Sequence, residues 1–277
     1  MRGLRDCWHR YRRNRLAVVA AVALLAVMSL AVVGPVVYPR DPFEMVGRPF
    51  SPPLREYPLG TDVAGRDILA GIIHGARVSL LIAITASICA AVIGVIVGAL
   101  AGYYGGLIDD ALMRATEFFL TIPSFVLAVV LVAIFSPSVY SVTGAIAAVS
   151  WPSVARLVRG EFMAQRVRDY VQACFALGMS DRRVIFVHIL PNTLSPVIVV
   201  TTLMVATAIL TESGLSFLGL SDPNVVSWGY MIGVARTVLR VAWWMAAIPG
   251  VMIVITVLAI NIAGEGLNDA LNPRLKE

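Results

Sequence analysis

Residues 170–191 read YVQACFALGMSDRRVIFVHILP. The stretch is helical in pattern and charged, broken by Gly178 and closed by Pro191, yet it sits between two long apolar runs. Apolar residues recur at Val167, Val171, Cys174 and Leu177, the spacing of one helix face. A helix is expected from Glu161 to Leu177. Gly178 is placed to end it in a left-handed conformation. Ser180 can cap a second short helix, with Asp181 in its favourable first turn. Val184, Ile185, Phe186 and Ile189 give that piece an apolar side, and Pro191 is tolerated near the start of the next helix. A plain connection needs only a handful of residues, so 159–192 reads as a built helix–break–helix knob. It suits docking to a soluble partner, or lying on anionic lipid through Arg182 and Arg183.

The surroundings make this a loop of a membrane protein. The 277 residues are 58% hydrophobic and 14% charged, with mean hydropathy +0.83. Soluble chains carry about 25% charged residues. Apolar blocks at roughly 16–38, 78–102, 112–135, 140–158, 193–216 and 244–264 are each expected to form one crossing. Within lipid the backbone must satisfy itself, so the expected class is an all-α, polytopic six-helix bundle. The division is a basic tail (1–15), a first transmembrane helix (16–38), an outer loop (39–77), a five-helix core (78–264) and a C-terminal tail (265–277).

The N-terminal 15 residues hold six Arg, and an apolar run of 23 follows, which reads as an uncleaved anchor. With that tail inside, 15 Arg and Lys fall on the inner side and seven on the outer, placing both termini in the cytoplasm. The net charge of +5 is therefore topological and directed at headgroups, not at nucleic acid. Cys7, Cys89 and Cys174 are too scattered for a disulfide framework or a metal knot.

Enzymatic chemistry has little to stand on. The only lysine is Lys276, preceded by Leu275, so the chain has no phosphate-cradling Gly-Lys-Ser/Thr loop. His9, His74 and His188 form no HExxH pair, and no GxSxG elbow occurs. No metal site and no cofactor of this chain's own are expected.

Several residues inside the spans stand out. Gly94, Gly98 and Gly102 form a doubled GxxxG, a face for close helix packing. Pro123, Pro152 and Pro249 should kink spans three, four and six. Glu212 is a costly carboxylate among Thr211, Ser213 and Ser216; it either lines a pathway or gate, or makes an interhelical hydrogen bond. Asn261 suits helix packing. Asp109, Asp110, Arg114 and Glu117 form either an ion-pair cluster or a solvated helix end. Trp228, Trp243 and Trp244 suit an interfacial belt, and His74 an interfacial position.

Residues 172–191 resemble the cytoplasmic EAA loop of permeases in binding-protein-dependent ABC importers. The family pattern is Glu-Ala-Ala, three residues, Gly, nine residues, then Ile-x-Leu-Pro. Ala173, Gly178, Leu190 and Pro191 match it, while Gln172, Cys174 and His188 replace Glu, Ala and Ile. YPLGTDVAGRDILAGIIHGARVSL (57–80), GYYGGLIDDALMR (102–114), LTESGLSFLGL (210–220) and NPRL (272–275) are similar to the dipeptide/oligopeptide (DppC/OppC-type) group.

The resemblance implies a type I ABC importer permease fold. It implies transport of dipeptides or oligopeptides, with nickel or another small solute as other cargo. Implied partners are a second, DppB/OppB-like permease, two ATP-binding subunits or one fused pair that hold ATP and Mg, and an extracytoplasmic peptide-binding protein. Asp169, Tyr170, Gln172, Ala173, Cys174, Leu177, Gly178, Ser180 and Asp181 would lie on the coupling helix seated in an ATPase groove. Residues 221–236 would form a scoop reaching into the pore. A self-sufficient channel or secondary carrier is the rival class, as is a membrane scaffold that binds soluble partners without transport.

Overall fold

The computed structural model describes residues 11, 12 and 14–271, all helix and loop apart from two isolated bridges at Met45–Arg66 and Thr61–Asp67. The helices are α1 (Arg15–Val37), α2 (Ile68–Tyr104), α3 (Gly106–Thr121), α4 (Ser124–Phe135), α5 (Val139–Arg166), α6 (Asp169–Ala176), α7 (Asp181–Phe217), α8 (Trp228–Ala235) and α9 (Trp244–Leu271). Five of them, α1, α2, α5, α7 and α9, are long and apolar enough to cross a membrane. The pair α3–α4 makes a sixth crossing if it is taken as one broken span. The basic tail 1–10 and the NPRL stretch lie outside the described residues.

Five of the six expected spans are present with altered bounds, and the third is the bent pair α3–α4. The second begins at Ile68, ten residues early, because the Asp67 carboxylate accepts from the Leu69 amide and starts the helix there. At 37 residues α2 is about 55 Å long, well beyond the roughly 30 Å of hydrocarbon. The third span does not merely kink. It stops at Ile122–Pro123, and α4 leaves at 87° to α3. Ile122 precedes a proline and is extended (ψ 130°), as that position demands. Pro152 and Pro249, by contrast, stay within α5 and α9.

The expected helix 161–177 is interrupted at Val167–Arg168, so α5 and α6 are separate. The second limb of the knob is no separate helix either. It runs on into the fifth span as α7, through a π-helical stretch at Val184–Ile189. That wide turn directly precedes Pro191, whose ring would clash with the carbonyl four residues back in a regular helix.

The core is made by α2 lying against α5. An added Cβ on Gly94 would sit 2.5 Å from Val154 Cβ, on Gly98 2.4 Å from the Ala155 carbonyl, and on Gly102 2.6 Å from the Arg159 carbonyl. Lipid offers no hydrophobic drive between helices, so close backbone approach and dispersion must hold them. The three glycines supply that approach. At one end of the bundle sits the 167–189 knob, here the hairpin end. At the other, the loop end, residues 39–67 and α8 fold over α2 and α9.

Candidate functional site

The knob is anchored by a small core. Val171 and Cys174 of α6 are buried with Val158, Phe162, Val184 and Ile189, drawn from α5 and α7. A Schellman motif closes α6: the Met179 amide donates to the Cys174 carbonyl at 3.1 Å and the Gly178 amide to the Phe175 carbonyl at 3.0 Å. Gly178 holds φ +69°, and a Cβ there would meet nothing within 4 Å. Its glycine is thus required by backbone conformation, and the space above it is open.

Two departures from the EAA pattern acquire physical roles. The Gln172 amide donates to the Arg166 carbonyl at 2.9 Å, closing the end of α5, a donation that a carboxylate could not make. Cys174 fills the knob's core as a small apolar residue. Two expected details differ. The Ser180 side chain makes no capping bond; its carbonyl accepts from the Val184 amide instead. Asp181 accepts the Tyr103 hydroxyl at 2.7 Å, which ties the end of α2 to the second limb. Arg166 lies over the same Tyr103 ring, 5.8 Å from its centre. Tyr170 donates to Gln165 Oε1 at 2.8 Å.

What remains outward is a face of Asp169, Tyr170, Ala173, Leu177, Gly178 and Ser180, with Leu177 75% exposed. Leu190 is half-buried and Pro191 exposed at the root of the knob.

Glu212 is 2% exposed and does not face open space. Its Oε1 accepts from Ser216 at 3.0 Å and from Ser227 at 2.7 Å, while Oε2 has no hydrogen-bond partner. Ser227 is also the N-cap of α8, where its oxygen accepts the Tyr230 amide at 2.9 Å. Gly229 lies directly against the carboxylate, and a Cβ there would stand 2.7 Å from both oxygens. Glu212 therefore fastens α7 to the start of α8 through Ser227. The Thr211 hydroxyl donates back to the Thr207 carbonyl at 2.9 Å and the Ser213 hydroxyl to the Ile209 carbonyl at 2.8 Å.

Trp228 is not part of an interfacial belt. It is fully buried, donating from its indole to the Ile72 carbonyl at 3.0 Å and from its amide to Ser79 at 3.0 Å. Trp243 is exposed, as a belt requires. At the hairpin end Arg159 grips Asp109 in a two-point ion pair, Nε–Oδ1 2.5 Å and Nη2–Oδ2 2.6 Å. Asp110, Arg114 and Glu117 line the same recess without a further ion pair among the described residues.

Tyr103, Ser227 and Gly229 escaped the sequence reading. Each looks ordinary alone, and only the Gly-Tyr-Tyr and Ser-Trp-Gly-Tyr settings carried a signal.

Among the described residues no cluster of His, Cys, Asp and Glu could hold a metal ion.

Comparison with known proteins agrees with this architecture. Residues 94–277 match the family model described as a binding-protein-dependent transport system inner membrane component. Residues 4–53 match the N-terminal TM domain of oligopeptide transport permease C. The chain is 39% identical to a di/tripeptide transport system permease protein DppC of Pseudomonas aeruginosa, covering 99% of this chain and 93% of that one. It is 40% identical to a dipeptide transport system permease protein DppC of Escherichia coli K12, covering 100% and 95%. A solved structure of the MetNI methionine ABC transporter aligns at TM-score 0.60 and 17% identity, over 73% of this chain and 96% of that one; it speaks for the fold. The chain belongs to the inner-membrane permease family of binding-protein-dependent ABC importers, as a multi-pass membrane subunit.

Proposed function

We propose that this permease forms half of the pore of an ATP-driven importer of dipeptides or short oligopeptides, driven through the 169–181 knob. The reading rests on its DppC relatives for cargo. The observation that carries the coupling role is an anchored knob with an outward face. Val171 and Cys174 fix it to α5 and α7, and Tyr170, Ala173, Leu177 and Gly178 remain uncovered. A lever that passes on force must be stiff, and the Schellman cap and the Tyr103–Asp181 bond stiffen this one. ATP binding would close the paired ATPases, the seated knobs would follow, and rigid-body helix motion would switch access to the pore.

On this reading the chain has no ATPase site; ATP and Mg belong to two ATP-binding subunits or one fused pair. A DppB/OppB-like permease supplies the other half of the pore, and an extracytoplasmic binding protein delivers the peptide. Nucleic acid plays no part. Both termini lie in the cytoplasm, with the hairpin end facing it.

Reconstitution tests the proposal. Proteoliposomes with this chain alone should take up no labelled dipeptide. Adding the second permease, the ATPases and the binding protein should give uptake that requires ATP and Mg. Uptake by the chain alone would make it a self-sufficient channel or carrier and end this reading.

A further inference from the structure

At the loop end, four segments enclose a recess of about 410 Å³: α2, the first loop, the start of α5 and the stretch leading into α8. Its polar lining comes from His74, Arg77 and Asn224, and its floor includes Val78, Leu81 and Phe43. Arg77 is exposed and forms no ion pair among the described residues. No carboxylate lines the recess, and none occurs in the sequence between Asp67 and Asp109. The nearby Asp222 accepts from the amides of Val139 and Asn224 and from the Asn224 side chain at 3.3 Å, and it forms no ion pair with Arg77 among the described residues. The recess is thus open, with the unpaired guanidinium of Arg77 over an apolar base.

Its depth follows from the length of α2. The far end of that helix, Tyr103, is bonded to the knob, which the proposed function sets outside the bilayer, and the inference rests on that reading. About 20 residues from there fill the hydrocarbon core. That places Leu81 near the opposite boundary and Arg77, one turn beyond, about 6 Å further out at headgroup level. Directly below Arg77 on the same helix face run Leu81, Ile84, Ile88 and Val92, all exposed. Thr85 beside them turns its hydroxyl back to the Leu81 carbonyl at 2.6 Å, so it too presents carbon.

A cation at phosphate depth above an uncovered apolar face matches the two parts of a membrane lipid. We propose that this recess binds the phosphodiester of an anionic phospholipid, paired with Arg77 and hydrogen-bonded by the remaining Nδ2–H of Asn224, with an acyl chain along Leu81, Ile84 and Ile88. His74 is engaged with the first loop instead, its Nε2 3.3 Å from the Tyr38 carbonyl oxygen. A free peptide carboxylate shares the anionic chemistry but would leave the apolar face below unused.

The test takes the full chain extracted with its copurifying subunits, strips loosely held lipid with detergent, and titrates phosphatidylglycerol while native mass spectrometry counts bound lipids. Arg77→Ala should weaken the tightest phosphatidylglycerol about five-fold. Arg77→Lys should keep most of the binding, and Arg240→Ala, at an exposed arginine outside the recess, should change nothing. Equal lipid retention by Arg77→Ala would overturn the proposal. So would displacement of the lipid by millimolar dipeptide, which would make the recess a stop for cargo.

Discussion

The hydroxyl of Tyr103 donates to the carboxylate of Asp181 at 2.7 Å, joining residues 78 apart in sequence. The bond links the helix that packs on α5 through glycines to the outer limb of the knob. A push on the knob therefore reaches α2 directly, and not only through the chain connections of α5 and α7. Removing the hydroxyl tests that route. Tyr103→Phe should keep the ring packing with Phe175 and cost about 1 kcal/mol of stability. ATP hydrolysis by the assembled importer should persist while peptide uptake per ATP falls severalfold. An unchanged ratio would remove Tyr103 from the transmission.

The glycine face gives a sharper structural forecast. Gly98→Leu must displace the Ala155 carbonyl and Val158, a backbone shift costing about 3 kcal/mol or more. Thermal unfolding in detergent should drop markedly, or no folded chain should be recovered. Gly160 is the control, because a Cβ there meets nothing within 4 Å. Gly160→Ala should match or exceed the parent in stability, since alanine favours a helix by about 1 kcal/mol over glycine. Equal behaviour of the two variants would mean the helices are not packed as described.

Glu212 should separate transport from assembly. Glu212→Gln keeps an oxygen for Ser216 and Ser227 but puts an amide where the unpartnered Oε2 lies against Gly229 at the start of α8. The variant should assemble in normal amount and transport severalfold less. Normal uptake with an unchanged ATPase rate would dismiss a transport role. Gly229→Ala should be worse than Glu212→Gln in thermal unfolding, because its methyl would collide with both carboxylate oxygens.

The Asp109–Arg159 pair bridges the first turn of α3 to α5, next to the α2–α3 junction at Gly105. The pair is only partly shielded, with the Arg159 side chain 35% exposed, so its loss should cost less than that of a fully buried one. Asp109→Asn should lower thermal stability by about 1–2 kcal/mol. Moving the charges to Asp109→Arg with Arg159→Asp should restore part of it. Failure of the exchange to recover any stability would show that the pair acts through something other than its mutual attraction.

Much of this was readable from residues alone, and the failures share a cause. Apolar block length located every crossing because lipid permits little else than helices. The GxxxG face announced itself by spacing, and Gly178 by its position after an amphipathic turn. The break at Ile122–Pro123 exceeds the expected kink because a proline's residue type does not say whether its helix continues: α5 runs on through Pro152, while α3 ends at Thr121. The early start of α2 at Asp67 lay hidden in a loop-like stretch whose aspartate is a cap. Trp228 looked interfacial by type, yet Ser79 and Ile72, some 150 residues away, supply the partners that allow it to be buried. Glu212 left two readings open. Only the fold brings Ser227 and Gly229 to it.

The exposed face of α6 is the point on which the functional account turns. Ala173→Trp should leave the knob's core intact, because Ala173 points outward, but should bar a close-fitting partner. The decisive measurement is peptide uptake and peptide-stimulated ATP hydrolysis by the reconstituted importer carrying that substitution. The prediction is a loss of at least about ten-fold in both, with normal thermal unfolding of the chain. Undiminished uptake would contradict the claim that force enters this permease through α6.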